Sequence, residues 1–154
     1  MEIEIRKIEN AEEKRRICRV ILEALPEWFG IPEAREEYVS ESADKLFFAA
    51  MDGENPVGFL CLKETGRDTV ELYVMGVLKA RHRTGAGRAL VEAAKRAARE
   101  AGYAFMQVKT VQMGKYAEYD ATNRFYLAMG FKEFEVFPHL WDEWNPCQVY
   151  VMGL

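Results

Sequence analysis

Between a long apolar stretch, Thr69 to Leu78, and an alanine-rich stretch, Arg88 to Ala101, the chain reads Arg81-His82-Arg83-Thr84-Gly85-Ala86-Gly87-Arg88. The apolar stretch is expected to be a strand and the alanine-rich one a helix, with Gly102 as its stop. Ala86, Leu90, Ala93, Ala97 and Ala101 fall at helical spacing and predict its buried stripe, and so many alanines imply close packing on a sheet. A further strand follows from Tyr103 to Val111. Strand, turn, helix and strand in this order form a right-handed crossover, which places a parallel strand pair inside the sheet.

The rest of the chain reads as antiparallel. Ile3 to Ile8 alternates as a half-buried strand, and Asn10 with Glu13 resembles a helix-capping pair. The helix that follows carries Ile17, Val20, Ile21, Ala24 and Leu25 and is closed by Pro26. Pro32 is a favoured first helical residue and opens a second helix through Tyr38. Leu46 to Met51 and Val57 to Lys63 flank Asp52-Gly53-Glu54-Asn55-Pro56, which predicts a hairpin with a loop over 52–56. Tyr119 to Met129 is a helix ended by Gly130, and Phe131 to Phe137 and Gln148 to Met152 are the last strands. The expected fold class is α/β, a single domain over residues 1–154 with a mixed, mostly antiparallel sheet and helices on both faces.

Composition sets the outer limits. With 154 residues, 49% hydrophobic and 30% charged, the chain can bury one real core and is not a disordered tail. No apolar run approaches the roughly 20 residues that span a bilayer, so no membrane partner is expected. The stretch Met1-Glu2-Ile3-Glu4-Ile5-Arg6 lacks the basic-then-apolar pattern of a leader, so a cytoplasmic setting is expected. A net charge of −4 argues against nucleic acid as a partner, because basic residues must displace phosphate counterions. Cys18, Cys61 and Cys147 are an odd number at wide spacing, suited neither to a disulfide framework nor to a zinc site. They read as core thiols in a reducing compartment, and no metal is expected.

The turn from Arg81 to Arg88 carries the most chemical information. A turn entering a helix leaves several backbone N–H groups without partners and pointing into one space. Two glycines allow close approach, the helix dipole adds partial positive charge, and Arg81, Arg83 and Arg88 add whole charges. This is a place for a phosphate or pyrophosphate, although a Gly-x-Gly turn alone also occurs in ordinary strand–helix connections. The segment has no third glycine of a dinucleotide fingerprint, and the chain has no Gly-x-x-x-x-Gly-Lys-Ser/Thr run.

The run from Val77 to Leu90 resembles the acetyl-coenzyme-A loop of the GNAT N-acetyltransferase superfamily, Gln/Arg-x-x-Gly-x-Gly/Ala at a strand-to-helix turn. Thr122-Asn123-Arg124-Phe125-Tyr126-Leu127-Ala128-Met129-Gly130-Phe131 is similar to the superfamily's second signature, a helix ending in Phe/Leu-Tyr-x-x-x-Gly-Phe. The resemblance implies that backbone amides of Arg83, Thr84, Gly85, Ala86, Gly87 and Arg88 hold the pyrophosphate of acetyl-CoA. It also implies that the main chain of Met75, Gly76 and Val77 pairs with the pantetheine arm where the central parallel strands splay apart. His82 stands where Gln or Arg is more usual, and Tyr119 falls where an Asn often meets the pantetheine.

Acetyl transfer to an amine needs a base for the ammonium and an acid for the departing thiolate. Alternation places Glu71, Tyr73 and Met75 on one strand face, and the offset of Glu71 from Gly85 resembles that of the general-base glutamate in histone-acetylating relatives. Glu71 is equally readable as a solvated carboxylate that attracts a cationic substrate while a water chain takes the proton. Tyr126 matches the tyrosine that many relatives use as the acid, or it is a core tyrosine beside Phe125 and Phe131. A Cys–His nucleophile drawn from Cys147, His82 and His139 is disfavoured, since His82 belongs to the turn and His139 to a loop.

The acceptor side is sketched by aromatic loops. Trp28 and Phe29 follow the first helix, Trp141 and Trp144 lie in the segment 138–146, and Tyr73 sits on the central strand. Such residues line pockets, and Asp142 and Glu143 between the tryptophans could hold a cation; an interface to a second subunit, a homodimer, reads equally well. The expected activity is N-acetylation of a primary amine of a small molecule or peptide, and the acidic net charge mildly favours a cationic acceptor such as a polyamine or amino sugar. The alternative is a non-catalytic acyl-CoA-binding sensor or interaction protein.

Overall fold

The computed structural model describes residues 2–154; Met1, the first residue of the stretch read for a leader, lies outside them. The elements are β1 (Glu4–Ile8), α1 (Ala11–Glu23), α2 (Pro32–Ser42), β2 (Leu46–Asp52), β3 (Asn55–Glu64), β4 (Thr69–Val77), α3 (Ala86–Glu100), β5 (Phe105–Val111), α4 (Ala117–Ala128), β6 (Lys132–Phe137) and β7 (Cys147–Gly153). The strands form one mixed sheet in the order β1-β2-β3-β4-β5-β7-β6. Its parallel pair is β4 with β5, registered only from Thr69 opposite Phe105 to Glu71 opposite Gln107. Both strands continue past that ladder.

The chain divides into two compact units, residues up to Lys63 with Tyr73–Ala97, and Glu64–Leu72 with Ala98–Leu154. In the first unit, Phe47, Ala49 and Met51 of β2, Phe59 and Cys61 of β3 and Val74 of β4 pack with Ile17, Cys18, Ile21 and Leu22 of α1 and with Leu25 just beyond it. A side chain at Gly58, one step along β3 from Phe59, would instead meet Leu90 of α3, so helices cover both faces here. The Asn10 side chain accepts the Glu13 N–H at 2.9 Å and caps α1, and Pro32 opens α2. α2 runs a turn beyond the expected Tyr38, to Ser42.

Three expectations are corrected. The apolar stripe of α1 is offset by about one position: Val20 and Ala24 are exposed, and Cys18 and Leu22 are buried in their place. The β2–β3 connection has two residues, not five. Asp52 pairs with Asn55 and Met51 with Pro56, with the register shift beside Ala50 that lets a proline sit in the ladder. Gly53 at φ +61 supplies the turn. Finally, α3 begins at Ala86 rather than Arg88, and its buried residues are Ala86, Leu90, Val91, Ala93, Ala94 and Ala98, with Ala101 exposed.

Gly76 is where α1 presses on β4. A Cβ there would lie 2.9 Å from Ile21 Cγ2 and 3.0 Å from Leu25 Cδ1. Gly76→Ala is therefore expected to cost about 1–3 kcal/mol through overpacking. Equilibrium denaturation measures it, and an unchanged midpoint would show that α1 gives way freely.

In the second unit, Met106, Val108, Tyr126, Met129, Phe131, Cys147, Val149 and Tyr150 are buried. β6 is an edge strand whose ladder with β7 breaks between Glu133 and Glu135, leaving Phe134 exposed at the break. Gly130 at φ +102 ends α4. Its N–H donates to Leu127 O and that of Phe131 to Tyr126 O, both at 3.1 Å. This is a Schellman motif, whose usual apolar contact is made here by the Tyr126 and Phe131 rings, 5.7 Å apart.

Candidate functional site

The turn after β4 is built from backbone geometry that its sequence dictates. Arg83 at φ +64 and Gly85 at φ +93 are both left-handed, and Arg83 is the one non-glycine residue so placed among the described residues. The first hydrogen bond of α3 runs from Ala89 N–H to Gly85 O at 3.0 Å. The amides of Arg83 to Arg88 precede it, so the open donors include the first helical turn itself. A side chain at Gly85 would meet nothing within 4 Å. Arg83 and Arg88 have no carboxylate partner among the described residues, whereas Arg81 Nη2 is bound to Asp52 Oδ2 at 2.5 Å. The Arg81 charge, counted toward the anion from sequence, is thus offset by the hairpin.

His82 braces this turn. Its Nε2 lies 2.8 Å from Val77 O, and its ring meets Trp28 edge-on at 5.9 Å. Thr84 Oγ1 donates to Arg81 O at 2.5 Å. Met75, Gly76 and Val77 form the end of β4 leading into the turn.

Trp28 and Phe29 part company. Trp28 goes to His82, while Phe29 meets Tyr38 edge-on, and Tyr38 meets Tyr73 at 5.2 Å. The Tyr73 hydroxyl donates to the Glu41 carboxylate, and Lys63 and Lys45 lie 5.0 and 5.5 Å from its ring centre. Burial, and then Glu41, push the Tyr73 phenol well above its ordinary range, so it stays protonated. Tyr38, Glu41 and Lys63 were not legible as site residues, since nothing local in the sequence marks them.

In the second unit, Glu71 is buried on β4 and accepts from Lys109 Nζ of β5 at 3.0 Å. Glu71 is therefore an ion-paired carboxylate and not the solvated one considered from sequence. Tyr126 is buried, its ring 5.7 Å from Phe125 and 6.3 Å from Tyr150. Asn123 ties α4 to the strands: its Nδ2 donates to Val111 O and Tyr119 O, and its Oδ1 accepts the Tyr150 hydroxyl at 2.5 Å. Tyr119 lies in the first turn of α4, edge-on to Tyr116.

Trp141 and Trp144 are exposed. Asp142 between them accepts the N–H groups of Trp144 and Asn145, both at 2.8 Å, and the Asn145 side-chain amide. It organises its own loop. Burial pushes the Cys147 thiol up to about 11 and Cys18 up to about 12, so neither supplies a thiolate nucleophile at neutral pH. Among the described residues no group of three His, Cys, Asp or Glu is arranged to hold a metal, and no helix is long and apolar enough to cross a membrane.

A strand-to-helix turn whose backbone amides stay open at a helix N-terminus is the feature by which one class of proteins holds phosphorylated cofactors. The family model of the acetyltransferase (GNAT) domain matches residues 43–133, more than half of the chain. The chain belongs to the GNAT acetyltransferase family. Solved structures agree in fold. A GNAT-family protein from Desulfovibrio desulfuricans superposes with a TM-score of 0.82 at 21% identity, covering 99% of each chain. The ribosomal-protein-S18-alanine N-acetyltransferase from Escherichia coli gives 0.76 at 16%, covering 99% of this chain and 94% of that one. The PaiA N-acetyltransferase from Thermoplasma acidophilum, solved with coenzyme A, gives 0.72 at 18%, covering 97% and 98%. No curated protein matches the chain.

Proposed function

We propose that residues 1–154 act as one acetyltransferase domain that moves the acetyl group of acetyl-CoA directly to a primary amine of a small molecule or peptide. The observation that carries this reading is the turn at 83–88, where left-handed Gly85, open amides, a helix N-terminus and two arginines without a carboxylate partner among the described residues adjoin one another. These residues fit a pyrophosphate: the amides that precede the first helical hydrogen bond are open donors, and nothing stands where a Gly85 side chain would. The main chain of Met75 and Gly76, with Val77 partly engaged by His82, is proposed to pair with the pantetheine arm, and Tyr119 to border it. Bound acetyl-CoA supplies an acetyl thioester.

Glu71 is proposed as the base and Tyr126 as the acid. The acceptor ammonium gives one proton to Glu71, and its nitrogen bonds to the acetyl carbon as the carbon–sulfur bond breaks. The electron pair goes to sulfur, which takes the Tyr126 proton, and the second amine proton restores the phenol. The sum is one amide, one thiol and one proton released. The aromatic row of Phe29, Tyr38 and Tyr73, with Trp28, is proposed to line the acceptor side, and exposed Trp141 and Trp144 to contact either the acceptor or a second copy. Three buried free thiols support a reducing, cytoplasmic setting.

The test is coenzyme A release from acetyl-CoA across polyamines, amino sugars, amino acids and short peptides, against a control without acceptor. Release above control with one amine class is expected. Silence with cofactor binding intact by calorimetry would overturn catalysis in favour of a non-catalytic acyl-CoA-binding protein, and silence without binding would overturn the reading of the turn.

A further inference from the structure

Glu71 and Lys109 form a charge pair whose unused atoms describe a ligand. The parallel register sets Glu71 opposite Gln107, and Lys109 lies two residues further along β5 on the same face. Lys109 Nζ donates to Glu71 Oε1 at 3.0 Å, with side chains 31% and 9% exposed. Neither has a second ion-pair partner among the described residues. Glu71 Oε2 accepts from no described residue, and yet no buried side-chain oxygen goes without a partner. Oε2 therefore reaches the surface. Lys109 has two further N–H donors and is the more exposed of the two. Val149 stands opposite Lys109 on β7, with Glu135 next in that row on β6, and Cys147 is buried.

A ligand with only an ammonium would satisfy Glu71 while facing the like charge of Lys109. A ligand with only a carboxylate meets the mirror-image penalty. A ligand carrying both charges closes two attractive pairs at once, and the unmatched alternatives are rejected by repulsion. Because Lys109 Nζ and the Glu71 carboxylate are in direct contact, the ligand's two charges must lie within a few ångströms of each other, as an amine and a carboxylate on one carbon do.

Building on the acetyl-transfer reading above, we infer that the acceptor is a free α-amino acid, its ammonium on Glu71 Oε2 and its carboxylate on Lys109 Nζ. The proton and electron balance is the one already given, with the carboxylate a spectator. Polyamines, amino sugars and lysine side chains lack the second charge, and a peptide N-terminus offers only a neutral carbonyl.

The experiment compares matched triads: phenylalanine, phenylalaninamide and phenethylamine, and likewise leucine, leucinamide and isoamylamine. Coenzyme A release gives kcat/KM for each, and calorimetry on the coenzyme-A-loaded protein gives binding. The acid is expected to exceed the decarboxylated amine by at least about tenfold in one triad or both. Lys109→Arg should keep that preference and Lys109→Met should reduce it to near unity. The wild-type ratios stand even if Lys109→Met fails to fold. Amines turned over as well as their acids, or a preference that survives Lys109→Met, would overturn this inference and leave acetyl transfer intact. No turnover and no binding in any triad would overturn it too, and the broader amine panel then decides acetyl transfer separately.

Discussion

Gly85→Glu should weaken acetyl-CoA binding at least about a hundredfold, or ~2.7 kcal/mol. The residue sits at φ +93 immediately before α3, and a Cβ there meets no atom within 4 Å. Steric damage is thus confined to the left-handed backbone, about 1–2 kcal/mol for an ordinary residue. The larger effect is electrostatic. A carboxylate beside the first amides of α3 is itself an anion at a helix N-terminus, so it both occupies the donors and repels a phosphate. Gly85→Asn separates the two contributions, since asparagine tolerates the left-handed region and carries no charge. Calorimetric titration of each variant, with thermal melts as a folding control, gives the answer. Affinity retained in the glutamate variant would remove the turn from the cofactor site.

Tyr126→Phe should lower kcat by about 10²–10⁴ and leave acetyl-CoA affinity nearly unchanged, the signature of a proton donor used in the transition state. The variant keeps the backbone and ring contacts. Tyr126 supplies the carbonyl that receives Phe131 N–H, and its ring packs on Phe125, Phe131 and Tyr150. Phenylalanine keeps all of these. Steady-state kinetics with any amine that the wild type accepts measures the loss, and an undiminished kcat would return Tyr126 to the core.

Much of the architecture was legible because it is written in local chemistry. Asn10, Pro32, Gly102 and Gly130 mark helix ends through capping, a fixed φ or a left-handed φ, and each acts where its residue type said it would. Local cues misled where two of them competed. Gly87 looked like part of the turn, but the left-handed break is at Gly85, so the helix starts one residue later at Ala86. Pro56 looked like a loop residue, but a register shift admits it to β3. The least legible features were the side-chain pairs. Glu71 with Lys109, Tyr73 with Glu41 and Tyr150 with Asn123 join residues 38, 32 and 27 apart, and only the sheet register and helix docking bring them together. Glu71 and Tyr126 could be named from the resemblance; what holds them could not.

The broken ladder at β6 bears on how copies of this chain can meet. An intact edge strand is a template on which another chain can crystallise, strand upon strand, into fibrils. Here the template is interrupted at Phe134, and Lys132, Glu133 and Glu135 set charges along it. Growth by backbone addition would have to cross a kink and strip water from those charges. A contact between copies would instead have to use side chains, of which Phe134, Trp141 and Trp144 are exposed aromatic ones, and such a contact is undone by dilution in a way that a shared sheet is not.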